Sequence, residues 1–291
     1  MIEKYRALMS AVELGSLTRA AEALGCTQSA VSHAIASLEQ ELGFRLLLRA
    51  RSGIRLTDEG ERMLPAVRSL LSAGEQLEQT AASIRGLDQG TVRIGAFTSV
   101  AVHWLPAVLK EFQRDYPHVS FRLLNGDYHD VNEWLADGSV DIGFVALPCE
   151  TPCECIALME DRLLAILPPD SRFASYPRFP IVECEREPFI SLLQSSDHDA
   201  RRALDAAGVK PNVRFYTKDD YAIIAMVEQG LGMSIMPELL LKGRHDNVLT
   251  LPLVPEARRT IGIAYSAVGH PGPATRRFCD YVVRYVREQV D

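Results

Sequence analysis

Gln28, Ser29, Ser32, His33 and Ala36 stand at relative positions zero, one, four, five and eight, so on a helix they share one face. Their chemistry suits the edges of base pairs. A glutamine amide bonds an adenine edge, serine and histidine reach bases or phosphates, and alanine touches a thymine methyl, while long apolar side chains would not fit a groove. An ordinary solvated helix face is the competing reading of these five residues alone. A second group is Cys149, Cys153 and Cys155 in "PCETPCEC", close enough to chelate a soft metal or exchange disulfides. Against that, Glu150 and Glu154 raise the thiol pKa, and no fourth ligand is adjacent. The reading preferred is incidental, reduced thiols, with no metal site and no cofactor.

The reading face must be held by neighbouring elements, and the first sixty residues supply them. Ile2, Tyr5, Met9 and Val12 form one stripe of a first helix ended by Gly15. Leu17, Ala20, Ala21 and Leu24 line a second, closed by a left-handed Gly25. Thr27 caps a third, whose buried stripe is Val31, Ile35, Leu38 and Leu42. The turn between the last two is short, as in a helix-turn-helix. Arg45 to Leu56, "RLLLRARSGIRL", then reads as a hairpin around Ser52 and Gly53, carrying Arg45, Arg49, Arg51 and Arg55 and no carboxylate. Arginines on such a wing bind phosphates or enter a minor groove.

Downstream, Met63, Val67, Leu70, Gly74, Leu77, Ala81 and Ile84 alternate spacings of four and three, the pattern of a long helix with a seam on which two copies can pair. Thr57 caps its start, and Pro65 is expected to kink its first turns. From Thr91 the pattern becomes strand, helix, strand, helix, strand: Thr91–Phe97, Val102–Asp115, Val119–Leu124, Asp130–Asp137 and Val140–Ala146. This implies a mostly parallel sheet that binds ligands beyond its carboxyl edge, at Thr98, Ser99, Asp127 and Ala146. A second unit has strands near Arg162–Leu167, Phe189–Leu193, Asn212–Tyr216 and Met233–Met236, with Ser191, Gln194, Ser195, Ser196 and Asp219 at its loop edge. Residues 265–269, "YSAVG", read as a return strand before a closing helix.

With these residues in order, the sequence resembles the LysR-type transcriptional regulators over almost its whole length. Gly15-Ser16-Leu17-Thr18, Ala20-Ala21, Gln28-Ser29-Ala30-Val31-Ser32, Leu42-Gly43 and Leu56-Thr57 carry the resemblance. It implies a winged helix-turn-helix over residues 1–58, a linker and dimerisation helix over 59–89, and an effector domain of two doubly wound α/β subdomains over 90–291. The first subdomain would hold about 90–161 plus 266–291, and the second 162–265. It implies that Thr18 and Thr27 touch phosphates, that Gln28, Ser29, Ser32 and His33 face the groove, and that Arg51 belongs to the wing. Ser29 and His33 stand where the family commonly has Pro and Arg, which softens the contact. Thr98 and Ser99 become the favoured effector contacts, because hydroxyls and free N–H groups at a helix start bind carboxylates. Asp127 and Asp219 favour a cationic or hydroxylated ligand instead, which leaves the effector's sign open.

The expected partners are double-stranded operator DNA, a small-molecule effector and further copies of the chain as a homodimer or homotetramer. The chain of 291 residues has a formal net charge of −7, but residues 1–89 hold only −1 of it, so the acidic total does not argue against a polyanion partner. No apolar run spans a bilayer and no leader pattern is present, which makes the cytoplasm the expected compartment. "EQGLGM" (228–233) lacks the third glycine of a dinucleotide fingerprint, and no nucleophile elbow, zinc-protease helix or P-loop occurs. An enzyme is therefore disfavoured, a pure solute-binding protein is disfavoured by residues 1–60, and a thiol or metal switch remains a variant of the regulator.

Overall fold

The computed structural model describes residues 2–50, 53–84, 89–149, 154–193, 198–243, 247–268 and 271–290. Three helices, α1 (Ile2–Leu14), α2 (Leu17–Leu24) and α3 (Gln28–Leu42), pack around Leu8, Ala11, Ala20, Ala21, Val31, Ile35 and Leu38. Gly25 ends α2 at φ 65°, where its N–H reaches back to Ala21 and Glu22. The stripe expected on α1 is rotated: Ala7, Leu8, Met9 and Ala11 are buried, while Tyr5 and Val12 only flank the core. The small Ala7 and Ala11 let α1 approach its neighbours closely, which a periodicity drawn through large residues misses.

Strands β1 (Leu47–Ala50) and β2 (Gly53–Leu56) pair antiparallel, Ala50 opposite Gly53. The 27-residue α4 (Asp58–Ile84) follows, its first turn capped by Thr57 Oγ1 accepting from Gly60 N–H at 2.9 Å. Pro65 lies inside α4, and the helix runs on through it. Val67 enters the core of the head, whereas Leu70, Leu77 and Ile84 are exposed.

The remaining elements are β3 (Gly90–Ala96), α5 (Thr98–His103), α6 (Leu105–Asp115), β4 (Val119–Asn125), α7 (Tyr128–Asp137), β5 (Ile142–Leu147), β6 (Cys155–Leu167), β7 (Phe179–Pro180), β8 (Pro188–Leu192), α8 (His198–Ala206), β9 (Asn212–Thr217), α9 (Asp220–Glu228), β10 (Ser234–Pro237), α10 (Glu238–Leu241), β11 (Leu249–Val254), β12 (Arg258–Tyr265) and α11 (Pro273–Val290). β3 lies parallel between β4 and β5, and the sheet order is β4-β3-β5-β12-β6-β11-β7, with β10 beside β6 and a separate parallel pair β8-β9. The long β6 joins two lobes: its first part pairs with β12, and Leu163–Leu167 pair with β10 and β11. Each lobe has its own core, one around Trp104, Phe112, Phe144 and Phe278, the other around Phe173, Phe179, Phe189 and Leu204.

Three expectations are corrected. The return strand is β12, which ends at Tyr265 where the expected strand began, because the charged pair Arg258-Arg259 masks its start. β6 begins at Cys155 rather than near Arg162, its first half lacking an alternating apolar pattern. The helix expected over Val102–Asp115 begins at Thr98 and divides at Trp104, since Pro106 has no N–H for the turn before it. No helix among the described residues is long and apolar enough to cross a membrane.

Candidate functional site

In the head, Thr27 is the extended residue before α3, and its Oγ1 accepts from Ala30 N–H at 3.2 Å. Its hydroxyl also meets Ser29 Oγ at 3.0 Å. The cap leaves Gln28, Ser29, His33 and Ala36 exposed on one face and Ser32 half-buried beside them. Thr18 is exposed in the first turn of α2, whose Ser16 cap accepts from Arg19 N–H. The wing is fixed against this face by side chains. Glu39 on α3 accepts from Leu46 and Leu47 N–H at 2.7 and 3.1 Å, and Thr57 Oγ1 donates to Arg45 O at 2.8 Å. Gly53, at φ 119°, lies against the turn after α1; a Cβ there would stand 2.9 Å from Gly15 O. Arg45 and Arg55 are exposed, and Arg51 and Ser52 lie outside the described residues.

Between the lobes is a cavity of about 230 Å³. The first lobe contributes Thr98, Ser99, Asp127 and Asp130, the second Leu192, Asp199, Ile223, Met236 and Leu240, and the crossover strand β12 contributes Arg259. Of the residues expected at the site, Thr98, Ser99 and Asp127 line it. Ala146 instead packs with the first-lobe core, and Ser191 is buried on β8 with its hydroxyl on Leu192 O. Asp219 caps α9 by accepting from Tyr221 and Ala222 N–H at 2.8 and 3.2 Å, while its neighbours Lys218 and Asp220 face the cavity. Gln194, Ser195 and Ser196 lie outside the described residues.

The centre of the cavity is a buried polar network that the sequence reading missed. Arg259, 5% exposed, donates from Nε to Asp161 Oδ2 at 2.8 Å, from Nη1 to Tyr128 Oη at 2.6 Å, and from Nη2 to Ser99 Oγ at 2.8 Å. Tyr128 in turn donates to Asp199 Oδ2, and Asp199 Oδ1 takes Arg202 Nη2 at 2.7 Å. Asp161 Oδ1 accepts from Leu239 N–H at 3.0 Å, which ties α10 to the crossover. Side chains from four elements, α5, α7, β6 and α8, thus converge on one guanidinium, which also stacks 5.0 Å from the centre of the Phe97 ring. Burial works against the Arg259 charge, but Tyr128, Asp161 and Asp199 around it carry its pKa above the ordinary value. Burial also pushes the Asp161 carboxyl up, against the pull of Arg259. Burial raises the Tyr128 phenol, so its proton stays on Oη and is donated to Asp199. The sequence signal was faint: two arginines open a strand, and a lone "ED" interrupts an apolar run.

The expectation of reduced cysteines is corrected for one pair: Cys149 and Cys155 form a disulfide. Cys149 lies two residues beyond the end of β5 and Cys155 opens β6, the two strands that flank β12. Cys153 lies outside the described residues. Among those described, Cys26 is free and exposed, Cys184 and Cys279 are free and buried, and no group of His, Cys, Asp and Glu is disposed to hold a metal.

Residues 2–61 match the family described as bacterial regulatory helix-turn-helix protein, lysR family, and residues 85–287 match the LysR substrate binding domain. The chain is 31% identical over 282 residues, 96% of each chain, to YvbU of Bacillus subtilis, an uncharacterized HTH-type transcriptional regulator. It superposes on a full-length OxyR variant from Pseudomonas aeruginosa with a TM-score of 0.80 at 20% identity, covering 99% and 94% of the two chains. Against full-length CbnR complexed with target DNA the TM-score is 0.67 at 20% identity, covering 98% and 99%. At these identities the two structures share the fold.

Proposed function

The chain belongs to the LysR family of bacterial transcription regulators, with a helix-turn-helix head and an effector-binding domain, and from that premise we propose how its residues divide the work. The N-terminal turns of α3 enter the major groove of operator DNA, with Gln28, Ser29, Ser32 and His33 toward the bases and Thr18 and Thr27 on phosphates. Arg51 on the wing holds the adjacent backbone. The observation that carries this is the exposed, capped start of α3 locked to the wing by Glu39. That CbnR was solved with its target DNA supports the same use of this head. Boundaries near residues 58 and 89 separate head, linker helix and effector domain. Two copies pair along α4 through Leu70, Leu77 and Ile84, giving a dimer or a dimer of dimers in the cytoplasm.

The effector sits in the cavity between the lobes, touching Thr98, Ser99 and Asp127. Because Arg259 gathers groups from both lobes, a ligand there favours one lobe arrangement over another and so alters how the heads are presented. The experiment is a thermal-shift screen of metabolites against the full chain, repeated on Ile223→Trp, which fills the cavity. Hits that lose their shift in the variant support the cavity as the site. Hits that bind Ile223→Trp unchanged overturn it.

A further inference from the structure

We infer that the cavity takes a small organic monocation, one that joins an apolar body and an uncharged oxygen to its ammonium group, in preference to the matching carboxylate. This rests on the cavity being the effector site.

Arg259 is the buried cation at the centre, and it has nothing left to offer an anion. A guanidinium has five N–H groups. Nε and Nη2 both face Asp161 Oδ2, at 2.8 and 2.7 Å, Nη2 also reaches Ser99, and Nη1 reaches Tyr128 and, at 3.5 Å, Asp199. Its charge is matched across the strand pair, where Arg259 stands opposite Asp161 in register. A carboxylate guest would have to displace one of these internal oxygens: displacing Asp161 or Asp199 leaves a buried charge without its partner, and displacing Ser99 or Tyr128 takes a buried hydroxyl off the guanidinium.

Two helix starts at the cavity, those of α7 and α9, are occupied in the same way, while α5, which begins beside it at Thr98, has no side-chain cap. Asp127 and Asp130 close α7 with a reciprocal capping box, each accepting a backbone N–H at 2.9 Å. α9 begins on the Asp219 cap with Asp220 behind it, and α8 carries Asp199 in its first turn. The positive ends of α7 and α9 are therefore already satisfied by the protein's own carboxylates. Around the cavity stand four carboxylates, Asp127, Asp130, Asp199 and Asp220, against Arg259 and Lys218. Each carboxylate of the capping box has one oxygen engaged by backbone, which leaves Asp127 Oδ2 and Asp130 Oδ1 as acceptors for an ammonium.

A separate observation concerns Ser99, which is 3% exposed and lines the cavity. Its Oγ accepts from Arg259, so its own hydrogen is the one to give, and no acceptor for it is found among the described residues. A buried hydroxyl proton is not left without a partner, and a neutral oxygen on the guest meets it. The opposite wall of Ile223, Met236 and Leu240 is apolar and takes the hydrocarbon. At about 230 Å³ the space is below the roughly 300–1,000 Å³ of drug-sized pockets, which limits the guest to a small metabolite.

The test uses probes of matched skeleton on the full chain: leucinol and phenylalaninol against 2-hydroxyisocaproate and phenyllactate, by calorimetry. The amino alcohols should bind saturably, at least tenfold more tightly than the hydroxy acids, and Asp127→Asn/Asp130→Asn should weaken them at least tenfold. Asparagine keeps the capping role, so the melting temperature of the double variant reports that the fold is intact. Tighter binding of the hydroxy acids, lost in Ile223→Trp, overturns the monocation while leaving the cavity as the site. Amino-alcohol binding that survives in Ile223→Trp removes the cavity itself. Failure of both amino alcohols to bind wild type also overturns the inference.

Discussion

Replacing Arg259 with methionine removes the cation from a site where both its side chain and that of Asp161 are 3% exposed. Breaking a buried ion pair by deleting one partner typically costs about 3–5 kcal/mol, because the other charge is stranded. Protonation sets a ceiling: neutralising a carboxyl of ordinary pKa at pH 7 costs about 4 kcal/mol, roughly three units at 1.36 kcal/mol each. The expected loss is therefore about 3–4 kcal/mol, or a fall in melting temperature of roughly 6–16 °C for a domain of this size. Asp161→Asn added to Arg259→Met should restore most of it, since the amide is uncharged and still accepts from Leu239 N–H. The pH dependence has a definite sign. A stranded Asp161 has its folded pKa raised further above the unfolded value, so stability is greatest below the unfolded value and falls as pH rises toward the folded one. The deficit of Arg259→Met should accordingly be smaller at pH 5 than at pH 7. Thermal unfolding of the full chain, wild type, two singles and the double, reads all of this. A single variant that loses under about 1 kcal/mol, or a double whose loss is the sum of the singles, would refute the reasoning.

Three further outcomes follow from the geometry. Thr27→Ala removes the α3 cap and should cost about 1 kcal/mol in the head; a head whose melting temperature is unchanged contradicts the cap. Leu77→Asp, on the exposed stripe of α4, should turn a dimer into a monomer in sedimentation velocity, and an unaltered dimer places the interface elsewhere. In non-reducing conditions at pH 8, a maleimide should label Cys26 and spare Cys184 and Cys279, which are buried and whose thiols burial pushes up to about 12. The digest should contain Cys149 linked to Cys155; both thiols free would remove that bridge.

Local regularities made the head readable. The caps at Thr27 and Thr57 and the left-handed Gly25 act within a few residues of themselves, and the α3 stripe repeats over successive turns. The parallel first lobe was legible for the same reason, since strand and helix alternate at short range. What escaped was set by distance. Arg259 and Asp161 meet across 98 residues of sequence, and only the antiparallel register of two crossover strands brings them together. Neither charge has a pattern that marks it as buried. Ala146 and Ser191 were placed at a loop edge by strand order alone, but both lie inside their strands, Ala146 packed on the first-lobe core and Ser191 buried with its hydroxyl on Leu192 O.

The central assignment is that the start of α3 reads bases, and selection of random duplex DNA by the full chain measures it directly. The wild type should enrich one motif as two related half-sites, and Gln28→Ala should weaken that complex by about 1–3 kcal/mol while leaving its affinity for unrelated DNA unchanged. An equal loss on every sequence, or an enriched motif that Gln28→Ala binds as well as the wild type does, would contradict it.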